Sequence, residues 1–307
     1  MAIPSPGVPI SLDTLNTEFG GGYSLSSYYR GGTYVPDSPQ NTAIPASGTI
    51  ALGNFYGSSN RMIVSLTASG NNYDVYTNRG ASYQAGKTDL TVTVPGTIGS
   101  TSTGAYAMLV PSAFSPTDTV TIVNNGVIQG MGGSGGKGGT PTFPAPGSSS
   151  KPGQPGFGGG NALYVNRPVI ITNNGTIASG GGGGGGGGGL QINSNPRPKK
   201  LGGPNPSSTA IGGGGGGGAG TNGGAGGTPN GGAGLTNSGG AAGASSPFPS
   251  SQNAPGGAGG GRGAAGSAAP ASPNGGTPGA GGATGSYIVG NAFVTWPATG
   301  TRQGNVS

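Results

Sequence analysis

Cysteine and histidine are both absent from the 307 residues. Their absence removes disulfides, thiolate metal sites and any Cys or Ser–His nucleophile. Acid is scarce as well. Asp13, Glu18, Asp37, Asp74, Asp89 and Asp118 are all of it, and none lies beyond position 118. Eight of the twelve Lys and Arg follow that point, so the front part carries about −2 and the remainder about +8 within the formal +6. The carboxylates fall at no spacing that would pair them for acid–base work. No enzyme, no metal and no cofactor is therefore expected. G-x-G-x-x-G matches arise from composition alone and lack the strand–helix alternation of a dinucleotide site. No window reaches the roughly 18 uncharged apolar residues of a membrane helix, so no membrane insertion is expected. The opening MAIPSPGVPISL has neither a charged nor an apolar leader region, so no secretory signal is expected. Such a chain is made in a cytoplasm and, if it works outside, leaves by lysis or on a particle.

What the chain has in excess is glycine, 76 residues, including unbroken runs at Gly180–Gly189 and Gly212–Gly218 and the stretches GGAGG at 223–227 and GGAGGG at 256–261. A glycine run is a floppy linker unless something orders it. The alternative is a lattice of polyproline-II helices, which have three residues per turn and no internal hydrogen bonds. Bare of side chains, they can lie against one another and bond laterally. Strict Gly-X-Y spacing, needed for a collagen triple helix, is missing.

An internal repeat favours the lattice. Val120–Ile128 reads VTIVNNGVI and Val169–Ile177 reads VIITNNGTI, offset by 49, and each leads into glycine. The Asn-Gly pair is a hairpin signal. Tyr287–Trp296, YIVGNAFVTW, reads as a third, weaker copy. A linker needs no strand–turn grammar at the start of each run.

Four regions follow. Residues 1–60 read as a docking module without helices longer than a turn or two, because prolines and glycines punctuate them. Its aromatics Phe19, Tyr28, Tyr29, Phe55 and Tyr56 are the candidate attachment residues, the other reading being an arm that packs on its own chain. Residues 61–123 hold β-branched segments at 62–67, 73–77, 90–94, 105–110 and 119–123, spaced as in a small antiparallel sandwich. Residues 124–286 are the glycine region and 287–307 a closing strand, with Trp296 shutting it. The expected class is all-β followed by a polyglycine polyproline-II helix sandwich, with essentially no α-helix.

Loops of different composition separate the glycine segments, at 140–156, 190–210, 244–255 and 269–278. Gathered at the ends of a slab, they would form a recognition surface. The candidate binding residues are Phe143, Lys151, Phe157, Arg197, Lys199, Lys200, Phe248 and Asn253. The basic group at 197–200 suits anionic partners or simply solubility, and the aromatics suit sugars or protein side chains. Basic residues without interleaved aromatics or a known fold do not suggest nucleic acid.

GTIGSTSTGAYAML (96–109), FSPTDTVTIVNNGVIQGMGGSGGKGG (114–139) and GGGNALYVNRPVIITNNGTIASGGGGGG (158–185) resemble the glycine-rich receptor-binding region of tailed-bacteriophage tail proteins. The chain is similar in style to the polyglycine adhesins that cap T-even-type long tail fibres, although its loops are richer in Pro, Ser and Asn than in aromatics. ISLDTLNTEFGG (10–21) and IPASGTIALGNFYG (44–57) resemble segments near the start of other phage virion proteins. The resemblance implies a virion protein at a tail or fibre tip. Its partners would be other tail or fibre proteins and a bacterial surface receptor, either a glycan or an outer-membrane protein. A non-adhesive head-decoration or tail-tip subunit is the alternative, and an ice-binding or matrix protein a third reading.

Overall fold

The structure, a computed structural model, describes residues 3–140, 151–192, 208–245, 254–271 and 276–307. The chain divides into two compact units that do not follow linear order. The first comprises residues 1–66, 76–92 and 112–121, the second 67–75, 93–111 and 122–307.

The first unit contains a helix that the sequence reading did not anticipate, α1 (Leu12–Phe19). Its caps explain it. Ser11 Oγ accepts from the Thr14 amide while Thr14 Oγ1 accepts from the Ser11 amide, a reciprocal capping box, and Gly20 closes the last turn at φ 76°. Leu15 and Phe19, four residues apart, face inward together. They join Ile3, Tyr28, Val35, Ile44 and Phe55 in one buried cluster. The rings of Phe19, Tyr28 and Phe55 stand 6.0 to 6.2 Å apart at steep angles. Glu18 ties this core to the end of the module by accepting from the Asn60 amide at 2.8 Å and from Ser59 Oγ at 3.2 Å.

In the same unit, the Arg61 guanidinium holds Asp89 at 2.6 Å and donates to the carbonyls of Thr88 and Thr117. Burial pushes the Asp89 carboxyl up, but hydrogen bonds from Arg61 and Thr119 and the Arg61 charge outweigh it and set the group below its ordinary value. Asp118 accepts from Tyr83 and from the amides of Thr88 and Ser115.

The strands are β1 (Met62–Thr67), β2 (Tyr73–Asp74), β3 (Thr88–Val94), β4 (Thr97–Gly99), β5 (Met108–Val110), β6 (Thr119–Asn124), β7 (Val127–Gln129), β8 (Leu163–Val165), β9 (Val169–Asn173), β10 (Thr176–Ala178), β11 (Leu190–Ile192), β12 (Ser208–Ala210), β13 (Ser286–Val289), β14 (Val294–Ala298), β15 (Thr301–Gln303) and β16 (Asn305–Val306). Mostly β structure with a single α-helix among the described residues agrees with the all-β expectation. The antiparallel sandwich does not hold. In the second unit the order β4-β7-β10-β15 forms one sheet and β2-β5-β8-β13-β16 another, and their ladders are parallel. A third sheet has the order β1-β3-β6-β9-β14. Successive strands thus enter three sheets in turn, the pattern of a parallel β-solenoid. The registers show why the repeat exists. Thr97, Val127, Thr176 and Thr301 stack at one position, so TVTVPGTIG (91–99) and VTWPATGTRQ (294–303) are further copies. The third copy is therefore 294–303 and not 287–296.

Asn-Asn-Gly is accordingly a corner between sheets rather than a hairpin turn. A Cβ on Gly126 would collide with the Gly96 carbonyl, and one on Gly175 with the Gly126 carbonyl, so the corner admits only glycine. Inside it the buried amides form a ladder. Asn124 Nδ2 donates to Asn173 Oδ1 and Asn173 Nδ2 to the Thr299 carbonyl, each at 2.7 Å.

The glycine segments leave this solenoid after β7 and β10 and return at β8 and β13. Their backbone bonds run sideways with a period of three. Gly181, Gly184 and Gly187 donate to Ala219, Gly216 and Gly213. Gly182 and Gly185 donate to Ala264 and Ser267, and Gly183, Gly186 and Gly189 to Phe157, Gln154 and Lys151. The carbonyls of the same run accept from 133–139, 257–260 and 276–282. Six neighbouring segments thus surround residues 181–189, every one of which is buried. The linker reading does not fit these residues, because the N–H and C=O groups of Gly181–Gly187 and Gly189 are all paired.

Candidate functional site

The array has two different ends. At one, its segments are rooted in the solenoid: Gly130 donates to the Ala178 carbonyl of β10 and Ser179 to the Gln303 carbonyl of β15. At the other end lie the residues flanking the four loops. Gly139 and Lys151 flank the first, Gly189 and Gly212 the second, Gly243 and Ala254 the third, Ala269 and Gly276 the fourth. Hydrogen bonds connect them. Gly212 donates to Gly139 at 3.0 Å, Gly189 to Lys151 at 3.0 Å, Gly276 to Gly189 at 2.9 Å and Gly213 to Ala254 at 2.9 Å. Gly256 closes the third loop by donating to Gly243 at 2.9 Å, and Ala269 joins the fourth to Gly279 at 3.0 Å. In the second loop, β11 and β12 pair antiparallel with Leu190 opposite Ala210. All four loops therefore leave from one end of the array, which becomes the candidate site.

The predicted residues separate into three groups. Phe143, Arg197, Lys199, Lys200, Phe248 and Asn253 lie outside the described residues. Lys151 is exposed at the loop end. Phe157 is 62% exposed but sits nearer the solenoid, since its carbonyl accepts from Gly183 while that of Lys151 accepts from Gly189. The structure does not bring Phe157 and Lys151 to one place.

Residues that sequence reasoning overlooked also stand at the loop end. Lys137, Thr140, Gln154, Ile211, Thr228 and Pro229 line a shallow cavity of about 390 Å³. Two signals were legible. Lys137 interrupts the otherwise uncharged GGSGGKGG, and Ile211 is a single large apolar residue set directly before a glycine run, where it is 39% exposed. Lys137 and Lys151 place positive charge at this end, in a stretch of sequence with no acid after Asp118. The arrangement suits binding of an anionic or hydrogen-bonding surface. Among the described residues no group of carboxylates is arranged to hold a metal ion, and no helix is long and apolar enough to cross a membrane.

The attachment candidates need correction as a surface. Phe19, Tyr28 and Phe55 are 3%, 0% and 0% exposed, because the module spends them on its own core. Tyr29 and Tyr56 are half-buried, and Tyr23, unremarked in the sequence, is 67% exposed. Arg167 is buried, and Tyr164 stacks on Tyr106 with centroids 5.0 Å apart. Trp296 lies in β14, its indole N–H donating to Asn291 Oδ1, with Arg302 over the ring.

The sequence profile of a family described as phage tail fibre adhesin Gp38 matches residues 61–307. Among solved structures, the chain is similar to one in the crystal structure of the gp37-gp38 adhesin tip complex of the bacteriophage S16 long tail fiber. The identity is 20%, all of both chains is covered, and the TM-score is 0.49. No curated protein matches the chain.

Proposed function

The chain belongs to the phage tail fibre adhesin family, and from that premise we propose that its loops, presented at one end of a polyglycine lattice, are what grips the receptor. Its role as a receptor-binding adhesin of a bacteriophage tail fibre displaces the head-decoration and ice-binding alternatives. The glycine segments act as a sandwich of polyproline-II helices. Such a helix turns each successive N–H by about 120°, and the period-three bonding to six neighbours supports this reading. Loops 140–156, 190–210, 244–255 and 269–278 then form the contact surface, with Lys151, Arg197, Lys199 and Lys200 meeting anionic groups and Phe143 and Phe248 meeting apolar or sugar faces. Asn253 would add a hydrogen bond. The receptor is a glycan or an outer-membrane protein of the host surface.

The mechanism is reversible binding without covalent chemistry. Fixing a mobile loop on binding costs about 0.5–1.5 kcal/mol per immobilised side chain. A lattice that holds every loop base in advance removes part of that cost. Residues 1–60 join the chain to the fibre. They stand outside the matched family region and fold around their own core, which leaves Tyr23, Tyr29 and Tyr56 as the outward aromatics for that contact. Within the second unit, β4, β5, β7–β10 and β13–β16 supply the solenoid, and the glycine segments that leave after β7 and β10 are mounted on it. Synthesis takes place in the host cytoplasm, before assembly on the virion.

The convergence of the loop bases carries this reading. Replacing residues 193–207 by a short Gly-Ser connection between β11 and β12 tests it. The expected result is virions of normal morphology whose adsorption to the host falls by about tenfold or more, a loss of roughly 1.4 kcal/mol or more. Unchanged adsorption would remove the second loop from the contact surface.

A further inference from the structure

We propose that the shallow cavity beside Phe157 is a second binding site, for an uncharged sugar ring, separate from the loop end. The cavity holds about 280 Å³, just under the usual lower size for small-molecule pockets, about 300 Å³, and thus matches a single ring. Met131, Phe157 and the hydroxyl residues Thr101, Ser102, Thr103 and Ser134 line it, together with small residues of the array. No charged side chain lines it. An anionic or cationic ligand would find no counter-charge, whereas a hexose offers the two surfaces the site can use, an apolar C–H face and an edge of hydroxyls.

Phe157 supplies the apolar platform. Among the described aromatics of its unit the Phe157 ring is the most exposed, 62% against 44% for Phe293 and 7% for Tyr287, while Tyr106 packs on Tyr164. The ring is displayed from a locked backbone. The Phe157 amide donates to the Ser134 carbonyl and the Phe157 carbonyl accepts from Gly183, both at 2.8 Å. Little conformational freedom remains to be lost on binding. The polar edge is equally set. Ala105 donates to the Ser102 carbonyl at 3.2 Å, Thr101 donates its amide to Asn72 Oδ1 at 3.0 Å, and the Thr103 backbone packs on Gly160. The four side-chain hydroxyls make no hydrogen bond among the described residues, so each can donate to or accept from a ligand. Thr221 and Ser100 nearby show the contrast: their hydroxyls are committed, to the Gln129 carbonyl and the Met131 amide. Six residues of the array separate the Phe157 level from the Lys151 level, about 19 Å for extended helices of 3.1 Å rise. One ligand ring cannot occupy both sites.

The test is ligand-observed NMR on the purified full chain with the methyl glycosides of glucose, galactose and mannose, and glucuronic acid as the charged control. At least one neutral glycoside is expected to bind with a Kd of about 1–10 mM. Phe157→Ala should weaken it at least tenfold or so, Phe157→Tyr should retain it, and Thr103→Val should weaken it a few-fold. Lys137→Ala and Lys151→Ala should leave it unchanged, which separates this site from the loop end. Phe157 is exposed, so its truncation should leave thermal unfolding unaltered. Should it not, Thr103→Val and Ser134→Ala decide instead. Absence of saturable binding by all three glycosides overturns the proposal, as does undiminished affinity in the decisive variants or equal binding of glucuronic acid.

Discussion

The N-terminal module and the glycine array reach order by opposite means. In the module, Leu15, Phe19, Tyr28, Ile44 and Phe55 exclude water with large side chains, and the backbone is short turns and one capped helix. In the array, residues 181–189 are as buried as that core yet bring no side chain to it. Main-chain pairs replace side-chain contact there. Each is worth about 0.5–1.5 kcal/mol net, against a glycine ordering penalty of about 0.5–1 kcal/mol relative to alanine. The margin per residue is small, so the array depends on long, unbroken cooperation among segments. The comparison teaches that burial marks an ordered interior even where hydropathy does not.

The sharpest way to break the comparison is to add one methyl inside the array and one at its exposed surface. At Gly184 a Cβ would collide with the Gly257 carbonyl, a backbone atom that cannot turn aside. Gly184→Ala is expected to cost about 5 kcal/mol or more, seen as loss of soluble folded protein. At Gly158 the nearest atom to a Cβ is the Ala283 carbonyl oxygen at 3.6 Å, so Gly158→Ala should change stability by less than about 0.5 kcal/mol in thermal unfolding. Equal effects at both positions would refute the packed lattice. Next in size is Phe55→Ala. Removing a ring at 0% exposure should cost about 3–5 kcal/mol in denaturant unfolding of the module. Amide exchange in the array should stay slow in that variant, since no array residue belongs to the cluster.

The smallest effect concerns pH. Asp89 titrates below the ordinary carboxylate value when folded. Its stabilisation is therefore present at neutral pH, above the unfolded value near 4, and is lost as pH falls through the lower folded value. Asp89→Asn should cost about 1 kcal/mol at pH 7, as for a partly screened ion pair, and the difference from the parent should vanish toward about pH 2. A difference that persists in acid would assign the effect to packing rather than to the Arg61 charge.

Much of the strand content was legible. The segments at 62–67, 90–94 and 119–123 became β1, β3 and β6, because β-branched alternation is a local signal. Strand direction was not. VTIVNNGVI reads equally well as a hairpin or as a solenoid corner, and only the pairing of Asn124 with Asn173 rather than across its own turn distinguishes them. The short α1 was readable from Ser11, Thr14 and Gly20, but prolines and glycines all around it masked the signal. At the candidate site, Lys151 was legible as a charge in a loop. Gln154 and Thr228 were not, since a residue's place at an array end depends on segments far away in the chain.

Local chemistry dictated what each stretch is able to do. The lack of cysteine and histidine, the β-branched runs, the turn glycines and the side-chain-free tracts can all be read residue by residue. Tertiary structure alone chose the partners: which six segments surround residues 181–189, that the sheets run parallel, and that four loop bases meet at one end. The reason is physical. A glycine tract offers the same N–H and C=O at every position, so nothing in its letters distinguishes one neighbour from another, and only closure of the whole array decides the pairing.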